Sequence, residues 1–114
     1  MQGVEVVGAW ARPIPKAEIH LHLEGSVELP TLLEVLRRRG ARIDRGVRDR
    51  LADLYSHRDF LHFLENFRTL CGVFTGPEDF TIITEALSDR LRDESVRYAE
   101  VFCSPAVFGK DGLP

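Results

Sequence analysis

Two histidines separated by one residue are the first feature of this sequence that can support chemistry. His20 and His22 lie in the run KAEIHLHLEGS, residues 16–26. In an extended strand, residues at positions i and i+2 point to the same side, with their Cα atoms about 7 Å apart. Both imidazoles can therefore converge on one point above the strand. Taken alone, such a pair is more often two surface histidines, and a shared metal ion is the chemical alternative.

The residues around the histidine pair favour the metal interpretation. With a period of two, residues 17, 19, 21 and 23 are apolar, whereas residues 18, 20, 22 and 24 are ionisable. Four ionisable side chains on one face are costly to bury unless something pairs them, and a metal ion does so. Gly25, directly after this run, indicates a sharp turn or a close approach of the backbone to a ligand.

The rest of the chain is read as the elements that position this strand. The strand pattern covers about residues 17–23, and residues 96–102 form a second run rich in strand-forming side chains. Between them, helical spacing predicts helices over about residues 29–39, 47–54, 59–74 and 77–93. A strand, a long helical excursion and a second strand are the order in which a βα barrel begins.

Apolar residues repeat at helical spacing through the third predicted helix. We interpret Phe60, Leu64 and Leu70 as part of its buried face. His57 and His62 flank the start of this helix, and their spacing suits a metal in neither a helix nor a strand. We therefore expect both histidines to be structural or to face solvent.

Composition excludes several classes of protein. The chain has 114 residues, the size of one small domain, with 44% hydrophobic residues and a formal net charge of −3. There is no basic excess to indicate a nucleic-acid partner, and no apolar run long enough to span a membrane. Cys71 and Cys103 lie far apart, which favours two free thiols in a reducing cytoplasm. We therefore expect a cytoplasmic protein with no nucleic-acid or membrane partner.

Residues 15–26 resemble the first barrel strand of the adenosine and adenine deaminase family, within the amidohydrolase superfamily. The segment from Tyr98 to Val101, followed by Ser104 and Pro105, is similar to the family's second strand. Many members carry arginine where this chain has Phe102. The resemblance covers about residues 13–107, and the family's enzymes are considerably longer than this chain.

The resemblance implies an α/β fold, the N-terminal portion of a (β/α)8 TIM-type barrel that is mostly helical by content. Residues 1–114 would form a single incomplete domain containing the first two barrel strands. It implies a zinc-dependent purine aminohydrolase that deaminates adenosine, adenine or a related aminopurine and releases ammonia. His20 and His22 would be ligands of one Zn²⁺ per complete active site. A purine base or nucleoside would be the small-molecule partner.

The resemblance also assigns substrate contacts. In the family, a helix with the pattern Phe-Leu-X-X-Phe lies beside the mouth of the active site, and this pattern matches Phe63 and Phe67. Ligand contact and simple burial both stay open for these two residues. Glu24 occupies a position where adenosine-specific members tend to have aspartate and adenine deaminases more often have glutamate. We therefore expect preference for adenine or a modified adenine nucleoside.

The family's catalytic groups are not recognised in this chain. No histidine follows His62, so the remaining histidine ligand and the catalytic histidine cannot come from this sequence. We expect no catalytic residue here and no activity for the chain by itself. Two alternatives stay open: a metal-dependent phosphoesterase that also begins with His-X-His, and a non-catalytic truncated product. The latter would bind a partner, or a second copy, through exposed strand edges.

Overall fold

The computed structural model describes residues 8–103, in which two parallel strands enclose a helical segment. Strand β1 spans Lys16–His22 and strand β2 spans Val96–Phe102. Between them lie a 3₁₀ turn at Glu24–Ser26 and four α-helices: α1 Leu29–Arg38, α2 Arg45–Asp53, α3 Phe60–Cys71 and α4 Pro77–Asp93. The predicted element order is therefore observed. The family-like residues Ser104 and Pro105 lie outside the described range.

The two strands pair in parallel, although they are far apart in sequence. Lys16 lies opposite Val96, and His22 lies opposite Phe102. Beyond the last pair, the backbone N–H of Leu23 donates to the carbonyl oxygen of Phe102 at 2.9 Å. The register is irregular at two points along β1. Because the strands are parallel, their carboxyl ends meet at one edge of the sheet, which is the working face of a βα barrel.

The side chain of Lys16 anchors the segment before β1. Its Nζ donates to the carbonyl oxygens of Ala11 at 2.7 Å, Arg12 at 3.2 Å and Ile14 at 2.7 Å. An ammonium group has three donors, so all of them are used here. The base of β1 is thereby held against the preceding turn, at the end opposite to the histidines.

Short polar side chains and prolines define where the helices begin. Asp44 caps α2 by accepting from the backbone N–H of Val47 at 2.8 Å, and Asp59 caps α3 by accepting from that of His62 at 2.8 Å. Proline occupies the first turn of both α1 and α4. The cap at Asp44 makes α2 begin two residues earlier than the apolar pattern predicted.

The hydrophobic core lies among the helices and the turn after β1. It contains eight clustered residues: Leu23, Val27, Leu32, Val35, Leu70, Phe74, Ile83 and Leu87. Leu70 is buried as predicted. The prediction that Phe60 and Leu64 are buried was wrong, since they are 74% and 42% exposed. The buried side of α3 is at its C-terminal half, whereas Phe60 begins the helix beyond the core. No helix within residues 8–103 is long and apolar enough to cross a membrane.

A buried aspartate joins the end of α1 to the start of α4. Asp79 is 6% exposed and is paired with the guanidinium of Arg39, which also donates to the carbonyl oxygen of Val73. The backbone N–H groups of Thr75 and Gly76 donate to the same carboxylate at 2.9 and 3.3 Å. One carboxylate therefore serves as helix cap and as ion-pair partner.

We expect Asp79→Asn to lower the free energy of unfolding by about 2 kcal/mol. The substitution replaces the buried carboxylate by a neutral amide, so the hydrogen bonds that it accepts are weakened. Urea denaturation of the purified protein measures this difference. Glu78→Gln is the matched control: it neutralises the adjacent acid in the first turn of α4, which is exposed. Equal destabilisation by both substitutions would show that only the helix dipole is involved.

Candidate metal centre

The two predicted metal ligands converge at the carboxyl end of β1. The Nε2 atoms of His20 and His22 lie 3.2 Å apart. Zinc–nitrogen bonds of about 2.0 to 2.1 Å from both atoms would then meet at an angle of about 100°, near the tetrahedral value. The geometry of the pair therefore fits one zinc ion bound by both rings.

The described residues supply only part of a metal coordination shell. A catalytic zinc site needs about three protein ligands and an open position. Across residues 8–103, no group of three or more histidine, cysteine, aspartate or glutamate side chains is arranged to hold a metal ion. The assignment of His20 and His22 as metal ligands stays a prediction.

Phe102 packs against both imidazoles from the neighbouring strand. Its ring centroid is 4.7 Å from that of His20 and 5.7 Å from that of His22, with interplanar angles of 36° and 34°. Sequence reasoning left the role of this position in doubt. The signal that would have identified it is strand register, since Phe102 lies opposite His22. An aromatic ring here limits the orientations of both metal ligands.

Helix α3 approaches the histidines from the other side through Phe67. The rings of His22 and Phe67 are 6.4 Å apart and nearly perpendicular, at 76°. A Cβ added to Gly25 would lie 3.5 Å from Phe67 Cε2 and 3.6 Å from His22 Cβ, which are ordinary van der Waals distances. The sharp turn predicted at Gly25 is observed as the 3₁₀ turn Glu24–Ser26, and a close approach of its backbone to a ligand stays a prediction.

The aromatic residues of α3 form a row that leads away from the metal ligands. Phe63 stacks on Phe67 and on Phe60, each with centroids 6.1 Å apart and with interplanar angles of 21° and 26°. Phe63 is 39% exposed. Phe63 and Phe67, the two predicted ligand contacts, thus lie in line with His22, and their contact with a ligand stays a prediction.

Glu24 is not on the face of β1 that carries the histidines. The strand ends at His22, and Leu23 already has helical dihedral angles, so the alternation of sides stops before Glu24. The Glu24 side chain belongs to the 3₁₀ turn and is completely buried. The sequence predicted that Glu24 shares one ionisable face with Glu18, His20 and His22. For Glu24 this prediction was wrong.

The neighbours of Glu24 include two cysteines that are distant in sequence. Both cysteines are free thiols, as predicted, with Cys71 buried and Cys103 exposed. Burial, together with the charge of Glu24, raises the pKa of Cys71 to about 11. Burial, a hydrogen bond to Glu24 and its charge raise the pKa of the Cys103 thiol as well. No local pattern in the sequence indicates this grouping.

The other two histidines lie in a separate cluster at the start of α3. His62 Nδ1 accepts from the backbone N–H of Arg58 at 3.1 Å. The ring of His57 is exposed and lies 5.2 Å from that of Phe63. Their separation from the metal ligands agrees with the sequence argument from spacing.

A parallel strand pair with a long helical connection and histidines at the carboxyl end is the arrangement in which a βα barrel begins. A family model described as "Adenosine deaminase" matches residues 15–114. The chain therefore belongs to the adenosine deaminase family.

Curated relatives agree with this assignment. The chain is 35% identical over 97 residues to an adenine deaminase of Sphingopyxis alaskensis, covering 85% of this chain and 28% of that protein. It is 33% identical over 93 residues to an adenine deaminase of Streptomyces coelicolor, covering 82% and 27%. The chain thus spans less than a third of the length of these relatives.

Solved structures confirm the fold class. An adenine deaminase from Arthrobacter aurescens superimposes with a TM-score of 0.71 and 29% identity, covering 82% of this chain and 28% of that one. Arabidopsis ADAL, solved in complex with GMP, gives a TM-score of 0.68 and 28% identity, covering 85% and 29%. The described residues are therefore the N-terminal part of a (β/α)8 barrel.

We expect Glu24→Gln to increase the rate at which iodoacetamide alkylates Cys103 severalfold at pH 8. A thiolate beside a carboxylate is disfavoured, so removing that charge lowers the pKa of the thiol and increases the thiolate fraction. Mass spectrometry of the labelled peptide, in the presence of a chelator and in a Cys71→Ser background, measures the rate.

Glu28→Gln is the control for this measurement. Glu28 is an exposed acid four residues away, and its charge acts instead on Tyr55, whose pKa is raised to about 12 by burial and by that charge. An alkylation rate at Cys103 that is unchanged by Glu24→Gln would contradict the grouping of Glu24 with the thiol.

Proposed function

We propose that the full-length protein is a zinc-dependent purine aminohydrolase acting on adenine, adenosine or a related aminopurine. The convergence of the His20 and His22 Nε2 atoms to 3.2 Å, at the carboxyl end of a barrel strand, carries this proposal. Membership of the adenosine deaminase family supports it. The proposal concerns the whole protein because this chain spans less than a third of its curated relatives.

The reaction replaces the amino group of an aminopurine by oxygen. A C–O bond forms at the amino-bearing carbon, the C–N bond breaks, and ammonia leaves. When bound, zinc supplies water activation near neutral pH. In this chain, His20 and His22 would hold the ion, and imidazole ligands suit zinc. Residues outside the described range would supply the proton transfers.

The aromatic residues beside the histidines suit a planar ligand. Phe63 and Phe67 offer ring faces on one side of the site, and Phe102 packs on the metal ligands from the other side. Aromatic side chains favour offset stacking with flat π-systems. A purine ring bound near His22 would therefore meet apolar surface instead of water.

Glu24 supports a preference within the aminopurines. Several curated relatives are named adenine deaminases, and the ADAL structure contains GMP, so base and nucleotide ligands both occur among similar proteins. Glu24 is fully buried and is hydrogen-bonded to the exposed Cys103. The longer glutamate leaves less room for a sugar than aspartate, which favours adenine or a modified adenine nucleoside.

We expect His20→Ala to remove zinc from the full-length protein and to lower kcat/KM for ammonia release by at least about 1,000-fold. Metal content by mass spectrometry and ammonia release from adenine and adenosine are the two measurements. His62→Ala is the control, since its ring Nδ1 accepts from the backbone N–H of Arg58 at the start of its own helix. Ammonia release that persists without any bound metal would contradict the proposal, as would phosphate release without ammonia.

We expect the full-length enzyme to turn over adenine, or a modified adenine nucleoside, with a higher kcat/KM than adenosine. Glu24→Asp should raise the ratio of kcat/KM for adenosine to that for adenine, because the shorter side chain leaves more room. Steady-state kinetics with both compounds measure the ratio, and Glu28→Gln controls for a change of charge nearby. A wild-type preference for adenosine by a large factor would refute the assignment of Glu24.

The unpaired strand edges support the alternative that this chain is a non-catalytic product that associates with a partner or with a second copy. Within residues 8–103, β1 and β2 pair only with each other, so each strand leaves one edge open. Ile19 and Val101, on these strands, are 69% and 44% exposed. Open edges with apolar side chains favour association with another strand. For the chain in isolation, we propose that it is inactive and self-associates through these edges; its cytoplasmic location stays a prediction.

A further inference from the structure

The imidazole of His57 is held in place by a buried amide. Asn66 is 9% exposed, and its Nδ2 donates to the carbonyl oxygen of Ser56 at 3.1 Å. The same Nδ2 lies 3.0 Å from His57 Nδ1. The ring of His57 also meets that of Phe63 nearly at a right angle, at 88°. The position and the rotation of this exposed ring are therefore determined by its contacts.

These contacts also determine which nitrogen of His57 carries the proton. A carbonyl oxygen only accepts, so the Asn66 atom facing Ser56 must be the amide nitrogen. Its second hydrogen then points to His57 Nδ1, which must accept. In neutral imidazole the other nitrogen carries the hydrogen, so Nε2–H of His57 is a donor.

His57 contacts Phe63, the second ring of the aromatic row that begins beside His22. The row runs from His22 to Phe67, from Phe67 to Phe63, and from Phe63 to His57, with ring separations of 6.4, 6.1 and 5.2 Å. A base lying on the rings of Phe67 and Phe63 would leave the donor at His57, which contacts Phe63, to a part of the ligand beyond the base.

We propose that His57 is a specificity-determining residue, whose Nε2–H donates to an oxygen of the sugar or phosphate in an aminopurine nucleoside or nucleotide. Sugar hydroxyls and phosphates both present such acceptor oxygens. This inference rests on the proposed function and selects, within it, aminopurine nucleosides and nucleotides over free adenine. Asn66 is the positioning residue, because it acts only through His57.

His62 provides a contrast on the same helix. Its Nδ1 accepts from the backbone of Arg58, and its ring lies 6.3 Å from that of His57. It is partly buried and makes no ring contact with Phe63 or Phe67 among those found in residues 8–103. A substitution at His62 therefore tests whether any change of a histidine at the start of α3 alters ligand binding as a change of His57 does.

The experiment measures equilibrium binding of adenine, adenosine and AMP to the full-length protein by calorimetry. His57→Phe keeps an aromatic ring against Phe63 and removes the donor. We expect the affinity for AMP relative to adenine to fall about tenfold, the value of one hydrogen bond to a charged group. His57→Gln places an amide N–H near the former Nε2 and should restore the ratio to within about threefold of wild type. His62→Gln should leave the ratio unchanged.

Comparison of adenosine with AMP shows whether the acceptor oxygen belongs to the sugar or to the phosphate. A fall with both adenosine and AMP supports a sugar contact, and a fall with AMP alone supports a phosphate contact. Equal losses for all three compounds, no change in the ratio, or no binding of any compound would overturn the role of His57. Absence of ammonia release would refute the proposed function, whereas the binding ratios would still report on His57.

The tautomer can be tested independently of any ligand. Long-range ¹H–¹⁵N correlation spectra of histidine-labelled protein distinguish the two neutral forms of each ring, and His57→Phe assigns the signal among the four histidines. We expect the Nε2–H form for His57, and a weaker preference after Asn66→Ala. Observation of the Nδ1–H form in the wild type would contradict the proposed donor.

Discussion

The parallel pairing of β1 with β2 is the interaction on which the candidate site depends. Each strand alone presents only one part of it: the histidines on β1 and the aromatic ring on β2. The register that places Phe102 opposite His22 brings these parts together, and the hydrogen bond from Leu23 to Phe102 extends the pairing to the strand ends. Pairing across about seventy residues of intervening helix closes a long loop, at an entropic cost that grows slowly with loop length. The core among the helices must offset that cost, so packing remote from the histidines is a condition of their geometry.

The residues of the hydrophobic core and those of the candidate site lie on different sides of this structure. The core lies among α1, α3, α4 and the turn after β1, whereas His20, His22 and Phe102 face away from it and remain exposed. Helix α3 belongs to both sides: Leu70 packs in the core, and Phe67 lies against His22. This division explains why an exposed aromatic row is compatible with a packed domain. Its rings contribute to the candidate ligand surface, and the C-terminal half of the same helix secures its position.

The parts of this structure that are local in sequence were predictable. Helical periodicity, prolines in first turns and the strand alternation indicated all four helices and both strands, and His-X-His indicated the convergent pair. The errors occurred where contacts between residues distant in sequence determine the position of a side chain. Leu23 leaves the strand because the chain turns there, and this buries Glu24 beside Cys71 and Cys103. Phe60 matches the periodicity of a buried face, but no core element lies opposite it within the described residues. Side-chain burial depends on which elements pack together, and a single sequence does not report that packing.

The geometry of the histidine pair depends on folding. The Nε2 atoms of the two imidazoles lie 3.2 Å apart, which matches the spacing that one shared zinc ion would require. Two ligands leave half of a four-coordinate zinc shell to water or to other residues, and affinity depends strongly on the complete set. Phe102, tilted against both imidazoles, restricts their motion, and a restricted ring loses less entropy on binding; this is the contribution that β2 makes to the candidate site.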